Sequence, residues 1–209
     1  NAEEQCYLRS NVSVGDGALH ITTRPDQSGC AAIGADVGYS SGMVQWRTGS
    51  FTYGRLEVRA RVGGGRGPWP AIWLLGTNCQ PNNPVDANDF DCNWPEPGAD
   101  EIDMVEYLGG DFRTLNQQIH TVEASPQCLS TVDDPIGEWH IYGMDWTPGR
   151  IAFDVDGVVT CELDQAVPDT PKFLIINTAV GGFGGGAVDP STMPVDMYVD
   201  WVRVEPAAS

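Results

Sequence analysis

From Gly54 to Val62, Leu56, Val58, Ala60 and Val62 alternate with Arg55, Glu57, Arg59 and Arg61. A period of two places four apolar side chains on one face and four charged ones on the other, so this stretch predicts a strand with one wet face. A helix would scatter the same residues around its axis. Runs of similar character occur at Ala18–Thr23, Met43–Arg47, Ala71–Leu75, Asp100–Tyr107, Asn116–Glu123, Trp139–Trp146, Lys172–Val180 and Val195–Val204. Ile151, Phe153 and Val155 alternate up to Asp156-Gly157, after which Val158 to Cys161 resume, the signature of a hairpin with a two-residue turn. Glycine and proline number 25 and 15 and punctuate these runs, leaving no helical segment of ordinary length. The expectation is an all-β single domain over residues 1–209, built as two packed antiparallel sheets.

Charge narrows the partners. Twenty-nine Asp and Glu against eleven Lys and Arg give a formal net charge of -18, which opposes an electrostatic grip on nucleic acid or an anionic membrane. No run approaches the roughly 20 apolar residues of a membrane span, and NAEEQCYLRS lacks the layout of a signal peptide, so the chain reads as mature and soluble. Six cysteines with no C-x-x-C pair point to disulfides rather than zinc, hence to an oxidising compartment and a secreted protein. The sequon Asn11-Val12-Ser13 carries little weight, since such triplets are frequent by chance.

Thr77 to Gly98 shows no periodicity and is dense in Pro, Asn and Asp; a structureless stretch of that length predicts an ordered loop beside a site. Cys79 and Cys92 bracket its middle and are expected to be bonded, a closure worth on the order of 3 kcal/mol in the chain-entropy account. The other four cysteines allow three pairings, of which Cys6 with Cys30 and Cys128 with Cys161 are favoured.

The chemistry concentrates in Asp100-Glu101-Ile102-Asp103-Met104-Val105-Glu106-Tyr107. In a regular strand Glu101 and Asp103 share a face while Ile102 and Met104 point to the core, which leaves Glu106 out of phase. One extra residue, a β-bulge at Met104-Val105, restores Glu106 to the face of the other two. Four effective strand steps then separate the glutamate backbones by about 13 Å. Side chains leaning inward bring the carboxyl groups to about 5 Å, the spacing of retaining glycosidases. Crowded like charges raise one pKa and keep a proton available for a general acid, which is the task open to the middle carboxylate. Two plainer readings compete: a solvated strand face, and a carboxylate metal site completed by His120. Seven tryptophans shift the balance toward sugar, because indole rings accept the flat C–H faces of pyranoses while carboxylates and amides bind hydroxyls. Trp73 and Trp201, inside apolar strands, are the expected core members among them.

Taken in order, GSFTYGRLEVRARV, GPWPAIWLL, DEIDMVEYLG, WHIYGMDWTPGRIAFDVDG, PKFLIINTAVGG and MYVDWVRV resemble glycoside hydrolase family 16, in its laminarinase-like endo-β-1,3-glucanase branch. The resemblance runs from NAEEQCY, similar to the family's N-x-E-x-Q-x-Y, to the last strand. It implies a concanavalin-like β-jelly-roll sandwich with an open substrate cleft, Glu101 as nucleophile, Glu106 as acid/base and Asp103 as their assisting carboxylate. By position matching, Glu3, Gln5, Trp69, Trp73, His120, Trp139 and Asn177 lie in or near that cleft. It implies no cofactor for catalysis and a polysaccharide substrate, β-1,3- or mixed β-1,3/1,4-glucan, handled by a secreted monomer with neither nucleic acid nor membrane as partner. Three departures from the pattern stand out. The chain starts at the N-x-E-x-Q-x-Y motif, without the strand-bearing segment that usually precedes it. Asp200 matches a calcium-ligand Asp that some members carry, and a solvent-facing Asp accounts for it equally. Gly181 to Gly186, broken only by Phe183, replaces a stretch where laminarinases often hold a Trp. The rivals are a non-catalytic β-glucan-binding lectin on the same sandwich, and a galactan or agar hydrolase of the same family. Three retained carboxylates favour an enzyme over a binder.

Overall fold

A computed structural model describes residues 1–80, 92–108 and 113–207. Its strands are β1 (Gln5–Tyr7), β2 (Val12–Gly15), β3 (Ala18–Pro25), β4 (Tyr39–Ser41), β5 (Met43–Gln45), β6 (Gly54–Arg61), β7 (Pro68–Gly76) and β8 (Glu101–Tyr107). They continue with β9 (Thr114–His120), β10 (Gln127–Thr131), β11 (His140–Thr147), β12 (Arg150–Val155), β13 (Val158–Leu163), β14 (Lys172–Val180) and β15 (Val195–Pro206). Two single helical turns, α1 (Gln27–Ala31) and α2 (Gly182–Gly185), complete the inventory together with short 3-10 turns. All the long strands expected from periodicity are present, including the hairpin of β12 and β13. The short strands β1, β2, β4 and β10 were not among them, because three to five residues carry too little alternation to register.

Nine strands form an outer sheet in the order β1-β4-β3-β15-β6-β11-β12-β13, with β2 paired to β3. Six form an inner sheet in the order β10-β9-β8-β7-β14-β5. Every strand pair is antiparallel except β1 with β4. The fold is thus the expected jelly-roll sandwich. Leu56, Val58, Ala60 and Val62 are fully buried between the sheets and meet Ile72, Leu74, Ile102 and Met104 across the interface. Arg55, Glu57, Arg59 and Arg61 face out, as the alternation dictates.

Trp146 is the fully buried tryptophan, its Nε1 donating to Pro168 O at 3.0 Å. Trp73 and Trp201 are only half-buried, which corrects their assignment to the core: an apolar strand sequence does not say that both faces of the strand are covered. The disulfides are Cys6–Cys30, Cys79–Cys92 and Cys128–Cys161. The last joins β10 at the edge of the inner sheet to β13 at the edge of the outer one, so it ties the two layers together. The middle of the expected site-flanking loop, 81–91, lies outside the described residues; its return limb, 92–98, runs beside the cleft. Among the described residues no helix is long and apolar enough to cross a membrane.

Candidate active site

Strand β8 carries the bulge that the carboxylate spacing demands. Against β9, Asp103 pairs with Gln118 and Glu106 with Asn116, so three residue steps on β8 answer two on β9. Against β7, Val105 pairs with Ile72 and Asp103 with Trp73, so Met104 is the extra residue. The insertion sends Ile102, Met104, Val105 and Tyr107 into the core. Glu101, Asp103 and Glu106 then face a single cleft.

The cleft has two adjoining compartments of about 360 Å³ and 540 Å³, both bounded by Asn1, Trp69, Trp73, Glu101 and Glu106. The first continues over Glu3, Gln5, Tyr7, Asp103 and Asn177; the second over Trp94, Asn116, His120 and Phe183. Nine of the ten residues expected in or near the cleft are brought together: Glu3, Gln5, Trp69, Trp73, Glu101, Asp103, Glu106, His120 and Asn177.

Trp139 is the exception. It stands on the outer sheet, with the guanidinium of Arg59 4.7 Å from its ring centre and Tyr198 at 6.5 Å. Sequence order could not reveal this, since the residue before β11 is free to join either outward face of a sandwich. Asp200 also lies on the outer face, ion-paired with Arg59. A calcium ion takes six to eight oxygens; the partner of this carboxylate is a guanidinium, and the one group of three metal-ligating side chains among the described residues does not include Asp200. A calcium ion bound through this carboxylate would have to displace Arg59.

Each carboxylate meets a different environment. Glu101 Oε2 accepts from Trp94 Nε1 at 2.8 Å. Burial, and then the neighbouring charge of Asp103, push its pKa well above the ordinary range. Asp103 is 2 % exposed, and its Oδ2 sits 3.4 Å from His120 Nε2 without hydrogen-bond geometry. Burial, then the charge of Glu106, raise it strongly as well. Glu106 accepts from Trp69 Nε1 at 3.0 Å and from Asn116 Nδ2 at 2.8 Å. Burial raises its pKa and these two donors oppose the rise. Carboxylates this crowded raise one another's proton affinity, an arrangement in which one group can hold a proton while another is ionised. Glu101, Asp103 and His120 bring ligand atoms within 4.8 Å of one another. Two of the three come from one strand, however, and a cation there would be held from one side only.

The surrounding shell holds this row in place. Trp73 Nε1 donates to Asn177 Oδ1 at 2.7 Å, and Asn177 Nδ2 donates to the hydroxyl of the half-buried Tyr7 at 2.8 Å. Gln5 Oε1 accepts from Val180 N at 2.7 Å, which docks the amino-terminal segment along β14. The glycine run also has a packing role: a Cβ on Gly184 would overlap the ring of Trp69, so the turn closes on that indole only without a side chain. Within the run, Phe183 is 83 % exposed at the rim. Trp94, Asn116 and Tyr7 were missed from the sequence. Trp94 lies in the aperiodic loop and the other two inside strands, and nothing in a period marks a hydrogen-bond donor or acceptor aimed across a cleft.

A model of the family "Glycosyl hydrolases family 16" matches residues 3–203. The chain is 35% identical to a beta-glucanase of Rhodothermus marinus, covering 98% of this chain and 74% of that one. It is 32% identical to the endo-1,3-1,4-beta-glycanase EglC of Rhizobium meliloti over 91% of its length, while spanning 38% of that relative. Among solved structures, SCLam, a non-specific endo-beta-1,3(4)-glucanase, superposes with a TM-score of 0.83 at 33% identity, covering 98% of this chain and 78% of that chain. A mutant of SCLam presents a 1,3-beta-D-cellobiosyl-glucose at its active site.

Proposed function

The chain belongs to glycosyl hydrolases family 16, and on that premise we propose that it is a secreted, endo-acting, retaining glucanase that cuts β-1,3- or mixed β-1,3/1,4-glucan. One observation carries the reading. The bulge in β8 turns three carboxylates onto one face of a cleft lined by Trp69, Trp73 and Trp94. Indole faces suit the C–H surfaces of neutral pyranoses. The three disulfides fit an extracellular enzyme. Residues 1–209 are read as one catalytic domain acting as a monomer.

Glu101 is assigned as nucleophile. As Glu106 passes its proton to the glycosidic oxygen, that C–O bond breaks and a Glu101 carboxylate oxygen bonds to the anomeric carbon. Glu106, now ionised, takes a proton from water, whose oxygen displaces Glu101 from the same carbon and restores the starting configuration. Each oxygen of Glu106 accepts a single bond, from Trp69 or from Asn116, and keeps a second position for the proton that goes to the glycosidic oxygen. Asp103 is assigned to hold the cluster's remaining proton. It is the most buried of the three, and a proton held there lets Glu101 stay ionised beside it. No step calls for a metal or an organic cofactor.

Proton NMR of laminarin digestion, recorded before mutarotation, tests the reading. The β-anomer is expected first. An initial α-anomer would mean that water attacks directly and would overturn the assignment of Glu101. Parallel digestion of barley glucan, lichenan and agarose separates the two glucan linkages from the galactan alternative, and a protein that binds laminarin without releasing reducing sugar would be a lectin.

A further inference from the structure

On the face opposite the cleft, four adjacent strands of the outer sheet present a row of side chains unconnected with the carboxylates. In sheet order these are His20 on β3, Tyr198 on β15, Arg61 on β6 and Trp139 immediately before β11. His20 meets Tyr198 edge-on at 4.6 Å. The guanidinium of Arg61 lies 4.3 Å from the Tyr198 ring centre and 5.3 Å from that of Trp139. Three strand spacings make the row about 14 Å long.

Arg61 is the unusual member. The chain has 29 acidic residues, and its neighbours Arg55 and Arg59 are each ion-paired. Among the described residues Arg61 forms no ion pair or hydrogen bond; the two rings fix its plane and leave its N–H groups unused. It borders a concavity of about 280 Å³ whose floor is bare at Gly63, Gly64 and Gly137 and whose other wall is Asp196. That carboxylate is itself fixed, accepting from Thr22 Oγ1 at 2.6 Å and from the Tyr198 hydroxyl at 3.3 Å. The result is a preorganised set of a fork of donors, an oriented acceptor and the Tyr198 ring around an open hollow, with Trp139 next along the row.

We propose that this row is a second carbohydrate site, which takes a neutral β-glucan chain and holds it away from the cleft. The neutral class follows from charge. A net -18 repels polyanions, whereas sugar hydroxyls accept from Arg61 and donate to Asp196, and indole and phenol rings take the C–H faces. A polycation would find Asp196 but also the guanidinium beside it. With the cleft on one face and this row on the other, the row can keep the enzyme on a solid glucan between cuts and so raise its concentration beside the substrate. The inference rests on the glucanase reading.

The test compares wild type with Arg61→Gln and Trp139→Ala, using insoluble β-1,3-glucan and a short soluble laminari-oligosaccharide. Cleavage of the short substrate should stay at the wild-type rate, which also shows that each variant is folded. Retention on the insoluble glucan, measured in a Glu101→Gln background so that the polymer persists, should fall at least about fivefold, and hydrolysis of the solid should fall with it. If Trp139→Ala does not fold, Arg61→Gln carries the experiment alone. Equal retention and equal hydrolysis of the solid by an active variant overturn the second site and leave the glucanase reading intact. A wild type that cleaves neither substrate overturns both.

Discussion

The two outward faces of the sandwich use acidic side chains in opposite ways. On the outer sheet nearly every carboxylate in reach of an arginine has one: Arg55 joins Glu57, Asp145 and Asp154, Arg59 joins Asp200, and Arg150 joins Glu162. On the inner sheet Glu101, Asp103 and Glu106 stand together with no lysine or arginine among the described residues lining their cleft. Solvent-exposed pairs on the first face contribute at most about 1 kcal/mol each. Crowded, half-dry carboxylates on the second raise one another's proton affinity and cost stability. The lesson is that arginines neutralise the acids of the outer face, whereas the described lining of the cleft, where a proton must be available, carries none.

The comparison is broken most severely by removing the nucleophile. Glu101→Ala should lower turnover by roughly 10⁴-fold or more, whereas Glu106→Ala should spare the first step for aryl glycosides whose leaving group needs no proton. Azide should rescue the Glu106 variant as the β-glycosyl azide; an α-product from that variant would exchange the two roles.

Asp103→Asn should lose roughly 10²-fold in kcat and keep the fold. It also tests the proton bookkeeping. Burial holds protons on the inner row above the pH at which an unfolded carboxyl releases them, so the folded state binds more protons than the unfolded one. Stability therefore falls as pH rises from about 4 through the raised folded values. Melting curves between pH 4 and 8 should show this fall in wild type and a shallower one in Asp103→Asn. Equal slopes would mean that Asp103 holds no extra proton.

A smaller effect is expected from the loop beside the cleft. Opening Cys79–Cys92 by the double change to alanine should cost on the order of 3 kcal/mol, read as a lower melting temperature. Loss of activity should accompany it as Trp94, two residues beyond Cys92, is freed from Glu101. The smallest change belongs to the outer face: Asp200→Ala should shift stability by less than about 1 kcal/mol, and neither calcium nor a chelator should move the melting temperature of wild type. Strong stabilisation by calcium would contradict the pairing of Asp200 with Arg59.

Alternation alone determined which residues of β6 and β12 share a side, but not in β15, where the register shifts between Val199 and Trp201 and sets Trp201 opposite Arg59. The same reasoning located the bulge, because Glu106 reaches the face of Glu101 only if one residue is inserted. The family resemblance then supplied the roles and most of the cleft. Tertiary structure decided the rest, for a reason built into a two-layer fold: period two separates core from exterior but does not say which of two exteriors a residue meets. Trp139 and Asp200 were therefore placed only by the packed sheets, on the outer face beside Arg59. On the inner sheet β14 is buried along its whole length, so its sequence shows no alternation to separate the Asn177 side from the core side. The donors on the carboxylates, Trp94 to Glu101 and Trp69 and Asn116 to Glu106, come from three different segments of the chain. Their convergence depends on strand order and loop path, which the packing of the sheets settles and no local pattern encodes.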